Sequence, residues 1–291
     1  MPGTEQKVWL VTGASSGLGL ALIKRVLARG DLAIATARDP SRFTQLFPSP
    51  DDRLHVLRLD LLWSFVELQK VMETAVARWG RIDCLVNNAG LLATSGPSEE
   101  IGAEHFMECM ATNVAGTINV TNAVLPYMRA RRQGTVVIIG SRSAYRNEFV
   151  VPAYAASKAA IHSYGETLAA ELKQFGIRVL VVAPGTFQTA FSSPPIAPNT
   201  ITDYAKSYED LRLNIQALEA NKGGDPEKAM DVLIDVVRGE GRAREKDGFP
   251  LWLVLGEEAV ENVRARANKM LDTMDMWGDV GFGLARGGGK E

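Results

Sequence analysis

The chain is poor in the residues that build metal and redox centres: 291 residues hold two cysteines and three histidines. Cys84 falls in a strand-like run and Cys109 in a helix-like one, which argues against a redox pair or a thiolate metal site and leaves both as buried thiols. His55, His105 and His162 are scattered, with no second ligand type at helical or turn spacing, so no metal is expected. No apolar run approaches the ~18 residues needed to cross a bilayer. The opening MPGTEQKVWLVTG lacks a charged-then-apolar leader pattern, so a cytoplasmic protein is expected. An excess of one charge is missing too. With 32 basic and 34 acidic residues, a formal charge of −2 and no sustained basic stripe, nucleic-acid binding is disfavoured. The one basic cluster, Arg129, Arg131 and Arg132, falls where a helix should end before Gly134, where cations meet the negative end of the helix dipole. There is no internal repeat.

What is present is the material of a sizeable core, 46% hydrophobic residues with 27 glycines spread through the chain. Apolar runs at 8–12, 32–37, 54–59, 83–87, 135–140, 178–183 and 250–254 alternate with helix-period segments at 17–29, 64–79, 103–131, 153–175 and 226–238. Strands that are nearly continuous in apolar residues are those buried on both faces of a parallel sheet. The pattern predicts an α/β, doubly wound Rossmann fold: a mainly parallel seven-stranded sheet with helices on both faces, in one domain over 1–277. Residues 226–238 carry their own punctuation, an Asp cap, a Pro in the first turn and a terminal Gly.

Two stretches break the rhythm. Residues 186–224 begin Ser/Pro-rich and continue helix-like, at the carboxyl end of the sixth strand where open α/β sheets bind ligands, and are read as a substrate lid. Residues 278–291 are Gly-rich and are expected to form a frayed or surface-lying tail.

The first strand runs into TGASSGLG at 12–19. Glycines at 13, 17 and 19 between a strand and a helix let the backbone approach a pyrophosphate while the helix N–H groups face the anion. A tight turn is the structural alternative. Further on, YAASK at 154–158 sets a phenol and an ammonium four residues apart, stacked on one helix face. A cation beside a phenol stabilises the phenolate and lowers its pKa from about 10, which would let Tyr154 exchange a proton near neutrality.

Together with Asp60 after the third strand, NNAG at 87–90, Asn113, Ser141 and PGTFQT at 184–189, these motifs resemble the short-chain dehydrogenase/reductase family in its short form. The resemblance covers residues 7–190 closely and the last third in outline. It implies a catalytic set of Asn113, Ser141, Tyr154 and Lys158. Tyr154 would be the acid/base, Lys158 would lower its pKa and hold the cofactor ribose, Ser141 would bond the substrate oxygen, and Asn113 would help order water linking Lys158 to solvent. Cofactor contacts are implied at Gly13, Ser15, Ser16, Gly17, Leu18, Gly19, Arg38, Asp60, Leu61, Asn87, Ala89, Gly90, Tyr154, Lys158, Pro184, Gly185, Phe187 and Thr189. Structural alternatives stand beside several of these. Asn113 can be a satisfied helix side chain, Ser141 or Thr189 a cap, Asn87 a brace between neighbouring strands, and His162 packing.

The second strand ends in ATARDP. Ala37 stands where an acidic residue would bond a ribose 2′-hydroxyl, and the guanidinium of Arg38 follows, which reads as NADP(H) preferred over NAD(H). Asp39 beside it, and Ser16 where many NADP-preferring relatives add a basic residue, temper that reading. The lid is apolar and aromatic, and Tyr145, Phe191 and Tyr204 are taken as pocket residues for a mid-sized hydrophobic ketone or aldehyde and its alcohol. Arg142 and Arg146 flank Tyr145 and are expected to point to solvent. The alternatives to a carbonyl reductase are a catalytically idle NADP(H)-sensing protein and a non-redox dehydratase or isomerase. Pairing through helices 103–131 and 153–175 into a homodimer or homotetramer is implied by the resemblance alone.

Overall fold

A computed structural model describes residues 5–49, 51–146, 151–189, 195–197, 200–220 and 223–284. Seven strands form one sheet: β1 Val8–Val11, β2 Leu32–Ala37, β3 Leu54–Arg58, β4 Cys84–Asn87, β5 Gly134–Ile139, β6 Ile177–Pro184 and β7 Trp252–Leu255. Their order is β3-β2-β1-β4-β5-β6-β7, and every pairing is parallel. Each strand falls within a few residues of its apolar run. The order reverses between β1 and β4, which is where a doubly wound sheet opens its ligand crevice.

Alternate side chains feed two cores. Trp9, Val11, Ala35, Val86 and Val182 face helices α1 (Gly17–Ala28) and α8 (Pro226–Arg238). Val8, Leu10, Ile34, Leu85 and Ile138 face the opposite layer, α3 (Phe65–Trp79), α5 (Thr117–Arg131) and α6 (Pro152–Leu172). The period of two on both faces explains why the strands read as unbroken apolar runs. Local signals set the helix ends. Ser64 and Glu67 close a capping box on α3, which stops at Gly80 with φ 74°. Asp225 caps α8 as expected, and Gly239 at φ 67° ends it. A short helix, α2, covers Arg42–Leu46.

The long helix expected at 103–131 is three segments: α4 (Ser98–Cys109), a π-helical stretch Met110–Gly116, then α5. The basic cluster at its end is structural, as Arg131 bonds Asp83 at 2.9 Å and Arg132 takes the left-handed conformation of a C-cap. The segment at 186–224 carries α7 (Ala205–Ala220). A helix that the periodicity did not reveal, α9 (Glu257–Trp277), follows β7 and leaves the body of the fold with only Ala259 buried. Of the expected tail, Gly278–Gly281 forms a short 3-10 turn, and 285–291 lie outside the described residues.

Candidate active site

The glycine turn joins β1 to α1. Gly13 and Gly17 have φ of +63° and +54°, values that side chains with a Cβ rarely adopt. A Cβ on Gly13 would also meet Ala89 Cα at 2.8 Å, so the turn lies directly against the NNAG loop. Asn88 ties the two together, donating through Nδ2 to the carbonyls of Thr12 and Gly13. Thr12 Oγ1 in turn accepts the amides of Asn88 and Ala89, each at 3.0 Å. Asn88 was not singled out from the sequence. Asn87, expected to brace neighbouring strands, instead reaches off the sheet and donates to Thr121 Oγ1 on α5 at 2.9 Å. The strand ladder already satisfies the backbone there, so its amide serves the sheet-to-helix contact.

The N-cap residue Ser16 makes no side-chain bond to the first turn of α1, and no acidic residue stands in that turn. Its backbone donors, beginning beside Ser15, Ser16 and Leu18, therefore open toward the crevice, the arrangement that suits a phosphate. The residues present thus fit a dinucleotide: a glycine turn without Cβ atoms, an uncapped helix start, and guanidinium groups at the far end of β2. Arg38 is exposed there. Arg58 lies across the sheet from Ala37 and donates to the Arg38 carbonyl at 3.2 Å. Asp39 is held by the hydroxyl and amide of Ser41, and the charges of Arg42 and Arg58 also favour its ionised form. Asp60 ends β3 by accepting the Leu62 amide, and Leu61 is buried against Gly116 of the π-helical stretch.

On the far side of the crevice Tyr154 and Lys158 stand one helical turn apart near the start of α6. The Lys158 ammonium is 5.6 Å from the centre of the Tyr154 ring and donates to the Ile139 carbonyl at 2.8 Å. It is buried, and burial pushes its pKa down to about 8. Gly90 leaves room beside it: a Cβ there would sit 3.5 Å from Lys158 Nζ and 3.4 Å from Asn113 Oδ1. Asn113 lies inside the π-helical stretch, a form frequent at functional sites. Its side chain accepts the Leu91 amide at 2.7 Å and donates to Leu91 O and Ser157 Oγ, each at 2.9 Å. Ser157 then donates to the Tyr154 carbonyl at 2.8 Å, so Asn113 braces the turn that carries the phenol.

Ser141 follows β5, buried, with Oγ accepting the Ser143 amide at 3.1 Å. Its own amide donates to Nε2 of His162 at 3.2 Å. His162, expected to be packing, is therefore also a hydrogen-bond partner of the candidate site. Tyr145 turns onto His162 and Trp252, with ring centroids 5.4 and 6.0 Å away, and burial raises its pKa to about 12.

One expectation is overturned. Arg142 does not point to solvent: it is buried, its Nε 3.3 Å from Glu258 Oε1 and its Nη2 3.3 Å from Thr186 Oγ1. Glu258, in the first turn of α9, also accepts the Thr186 amide at 2.6 Å. A carboxylate far along the chain compensates the guanidinium, so burying it leaves no isolated charge. Arg146 is exposed, as expected.

β6 ends at Pro184, and the chain then passes Gly185. Phe187 forms a bridge with Gly224 and packs on the α8 core, while a Cβ on Gly17 would lie 3.6 Å from Thr189 Cβ. That places Thr189 over the glycine turn. Phe191 lies outside the described residues. Ser95 and Ile196 make a parallel bridge, and Glu100 on α4 accepts the amides of Thr200 and Ile201 and the hydroxyl of Tyr208. Tyr204 reaches the neighbouring Glu99 at 3.1 Å. The segment after β6 is thus fastened to α4.

The short chain dehydrogenase family profile matches residues 7–197. A crystal structure of a short-chain dehydrogenase from Streptomyces avermitilis superposes with a TM-score of 0.84 at 33% identity, covering 98% of this chain and all of that one. An uncharacterised oxidoreductase of Bacillus subtilis, YusZ, is 34% identical over 79% of this chain and 84% of its own. The NADP-dependent 3-hydroxy acid dehydrogenase YdfG of Escherichia coli is 32% identical over 60% of this chain and 71% of its own.

Proposed function

This chain belongs to the short-chain dehydrogenase family, and from that premise we propose that it is an NADP(H)-dependent oxidoreductase interconverting a ketone or aldehyde and its alcohol. The observation that carries the reading is the buried Lys158 ammonium 5.6 Å from the Tyr154 ring, beside Asn113 and at the same end of the sheet as Ser141. When bound, the nicotinamide supplies or takes the hydride. Ser141 Oγ already accepts the Ser143 amide, which leaves its hydrogen to bond the substrate oxygen as negative charge grows there. Tyr154 delivers the proton to that oxygen in reduction and removes it in oxidation. Lys158 favours the phenolate through its charge, and the two ammonium hydrogens not used by Ile139 serve the ribose hydroxyls or water.

The glycine turn and the start of α1 would hold the cofactor's phosphates, and the arginines around Ala37 would hold a 2′-phosphate. The NADP dependence of the relative YdfG is consistent with that choice. The segment at 186–224 is the substrate lid of a single Rossmann-type domain, and its apolar and aromatic side chains suit a mid-sized hydrophobic carbonyl compound. The test follows NADPH absorbance against ketones and aldehydes graded in size and charge. Turnover is expected with apolar members. NADPH binding without turnover of any member would point to a sensor, and turnover without change in absorbance to a dehydratase or isomerase.

A further inference from the structure

Among the described residues fifteen large apolar side chains are exposed, and nine of them lie between Val260 and Leu284. The segments at 103–131 and 153–175 contribute only Met107 to that set. The exposed apolar surface is therefore concentrated on α9 and the turn after it. Ala259 and Glu258 anchor the first turn of α9, and every residue from Arg264 to Trp277 is exposed. Val260, Val263, Ala267, Met270, Met274 and Trp277 recur at alternating steps of three and four, the spacing of a two-helix seam.

We propose that α9 pairs antiparallel with α9 of a second copy of this chain, about a two-fold axis between Met270 and Leu271. This register sets Ala267 opposite Met274 of the second copy, small against large, as interdigitating seams require. It also brings Arg264 to the Trp277 ring and, within about 3 Å along the axis, to Asp275 of the second copy. Arg264 and Asp275 lie only about 20° apart around the helix, so both flank the same side of the seam, and the two-fold makes the contact twice. Neither has an ion-pair partner among the described residues. A parallel, in-register pair would instead leave Arg264 and Asp275 of the second copy about 16 Å apart along the axis, with no contact between them.

A lipid surface fits less well. On α9 five carboxylates outnumber three cations, the reverse of what an anionic membrane favours. Covering the seam on both copies removes on the order of 1,000 Å² from water, near the lower bound for a specific interface.

Sedimentation velocity on the full chain tests the pairing. Met274→Glu should halve the mass of the assembly while helix content and melting temperature hold. Arg264→Glu and Asp275→Arg should each weaken association about tenfold, and the two together should restore it. Under mild oxidation Met270→Cys, near the axis, should cross-link two copies and Val260→Cys should not; Cys84 and Cys109 are buried and give little background. A monomeric wild type would overturn the proposal, as would an assembly indifferent to Met274→Glu. So would failure of the double charge swap to restore association, or equal cross-linking at 260 and 270. A wild type that is monomeric and binds phosphatidylcholine/phosphatidylglycerol vesicles, with binding abolished by Trp277→Asp, would assign the face to lipid instead.

Discussion

The backbone amide of Ser141 donates to Nε2 of His162 at 3.2 Å, and the residue before the serine is a glycine that makes room for the ring. A Cβ on Gly140 would sit 1.7 Å from Nε2, so only glycine admits the ring there. Burial, and next the charge of Lys158, hold the His162 pKa down to about 3. The ring is neutral at working pH, with its hydrogen on Nδ1, and it holds the Ser141 backbone without moving a proton.

Replacing His162 by Leu should therefore lower kcat/KM about tenfold and destabilise the fold by roughly 1–3 kcal/mol, the cost of a buried amide left without an acceptor. His162→Gln should recover part of both. The folded pKa of about 3 lies below the ordinary 6.5. The stabilisation from neutral His162 is thus complete above pH 6.5 and is lost as pH falls from there toward 3. Urea unfolding of wild type and His162→Gln at pH 7.5 and 5 should show this loss in the wild type only. Wild-type kcat/KM in His162→Leu would remove the positioning role.

The strands and the Tyr154–Lys158 pair were legible because their causes are local: double burial makes a strand apolar, and four-residue spacing stacks two side chains. Contacts that depend on distant partners were not. Arg142 reads as a surface residue until Glu258 comes back beside it on α9. Asn87 and Asn88 look alike in NNAG, and only the approach of Thr121 and the glycine turn separates their tasks. The helix α9 was hidden because its apolar seam is narrow and interrupted by charge, and it buries almost nothing within its own chain. Gly140 and His162 were the one legible hint missed, a glycine before the serine and a ring one turn beyond Lys158.

Lys158→Met should keep the fold and lower kcat at least about a hundredfold, the scale of an acid/base group. Burial lowers the Lys158 pKa from 10.5 to about 8. Between these values the unfolded chain binds the proton more tightly, so the cofactor-free wild type should gain stability as pH rises from 8 to 10.5, by at most about 3 kcal/mol. Below pH 8 the side chain is charged in both states and the gain is absent. Lys158→Met should show no such rise. Alcohol oxidation by the wild type should accelerate with pH through a Tyr154 pKa below that of free tyrosine, and a mutant with wild-type turnover and pH profile would refute the assignment.

Glu100 helps fasten the proposed lid to α4. Glu100→Ala removes the acceptor for Tyr208 and for the amides of Thr200 and Ile201, and should raise KM for the carbonyl substrate about tenfold. Shortening 191–212 should go further and change which carbonyls are reduced. In both proteins NADPH affinity measured by calorimetry should stay within about twofold, because Glu100 and residues 191–212 lie outside the cofactor motifs. Loss of NADPH binding with the lid would make the segment part of the cofactor site.

The proposed cofactor preference turns on the end of β2. Ala37 offers no carboxylate to a ribose, and it sits directly across the sheet from Arg58, while Arg38 follows it exposed. Asp39, which follows Arg38, is engaged by the hydroxyl of Ser41 at 2.6 Å and its amide at 3.0 Å, bonds that hold its carboxylate, still ionised, to its own turn. Ala37→Asp combined with Arg38→Ile places a negative charge against the 2′-phosphate and removes its bidentate partner. NADPH binding should weaken by about 2–4 kcal/mol, while NADH binding holds or improves. Arg58→Ala should act in the same direction with a smaller loss, since its guanidinium also bonds the Arg38 carbonyl and lies over Trp63. Steady-state kcat/KM for the two cofactors is the deciding measurement: equal or better values with NADH in the wild type would mean that the arginines at this end of the sheet do not read the phosphate.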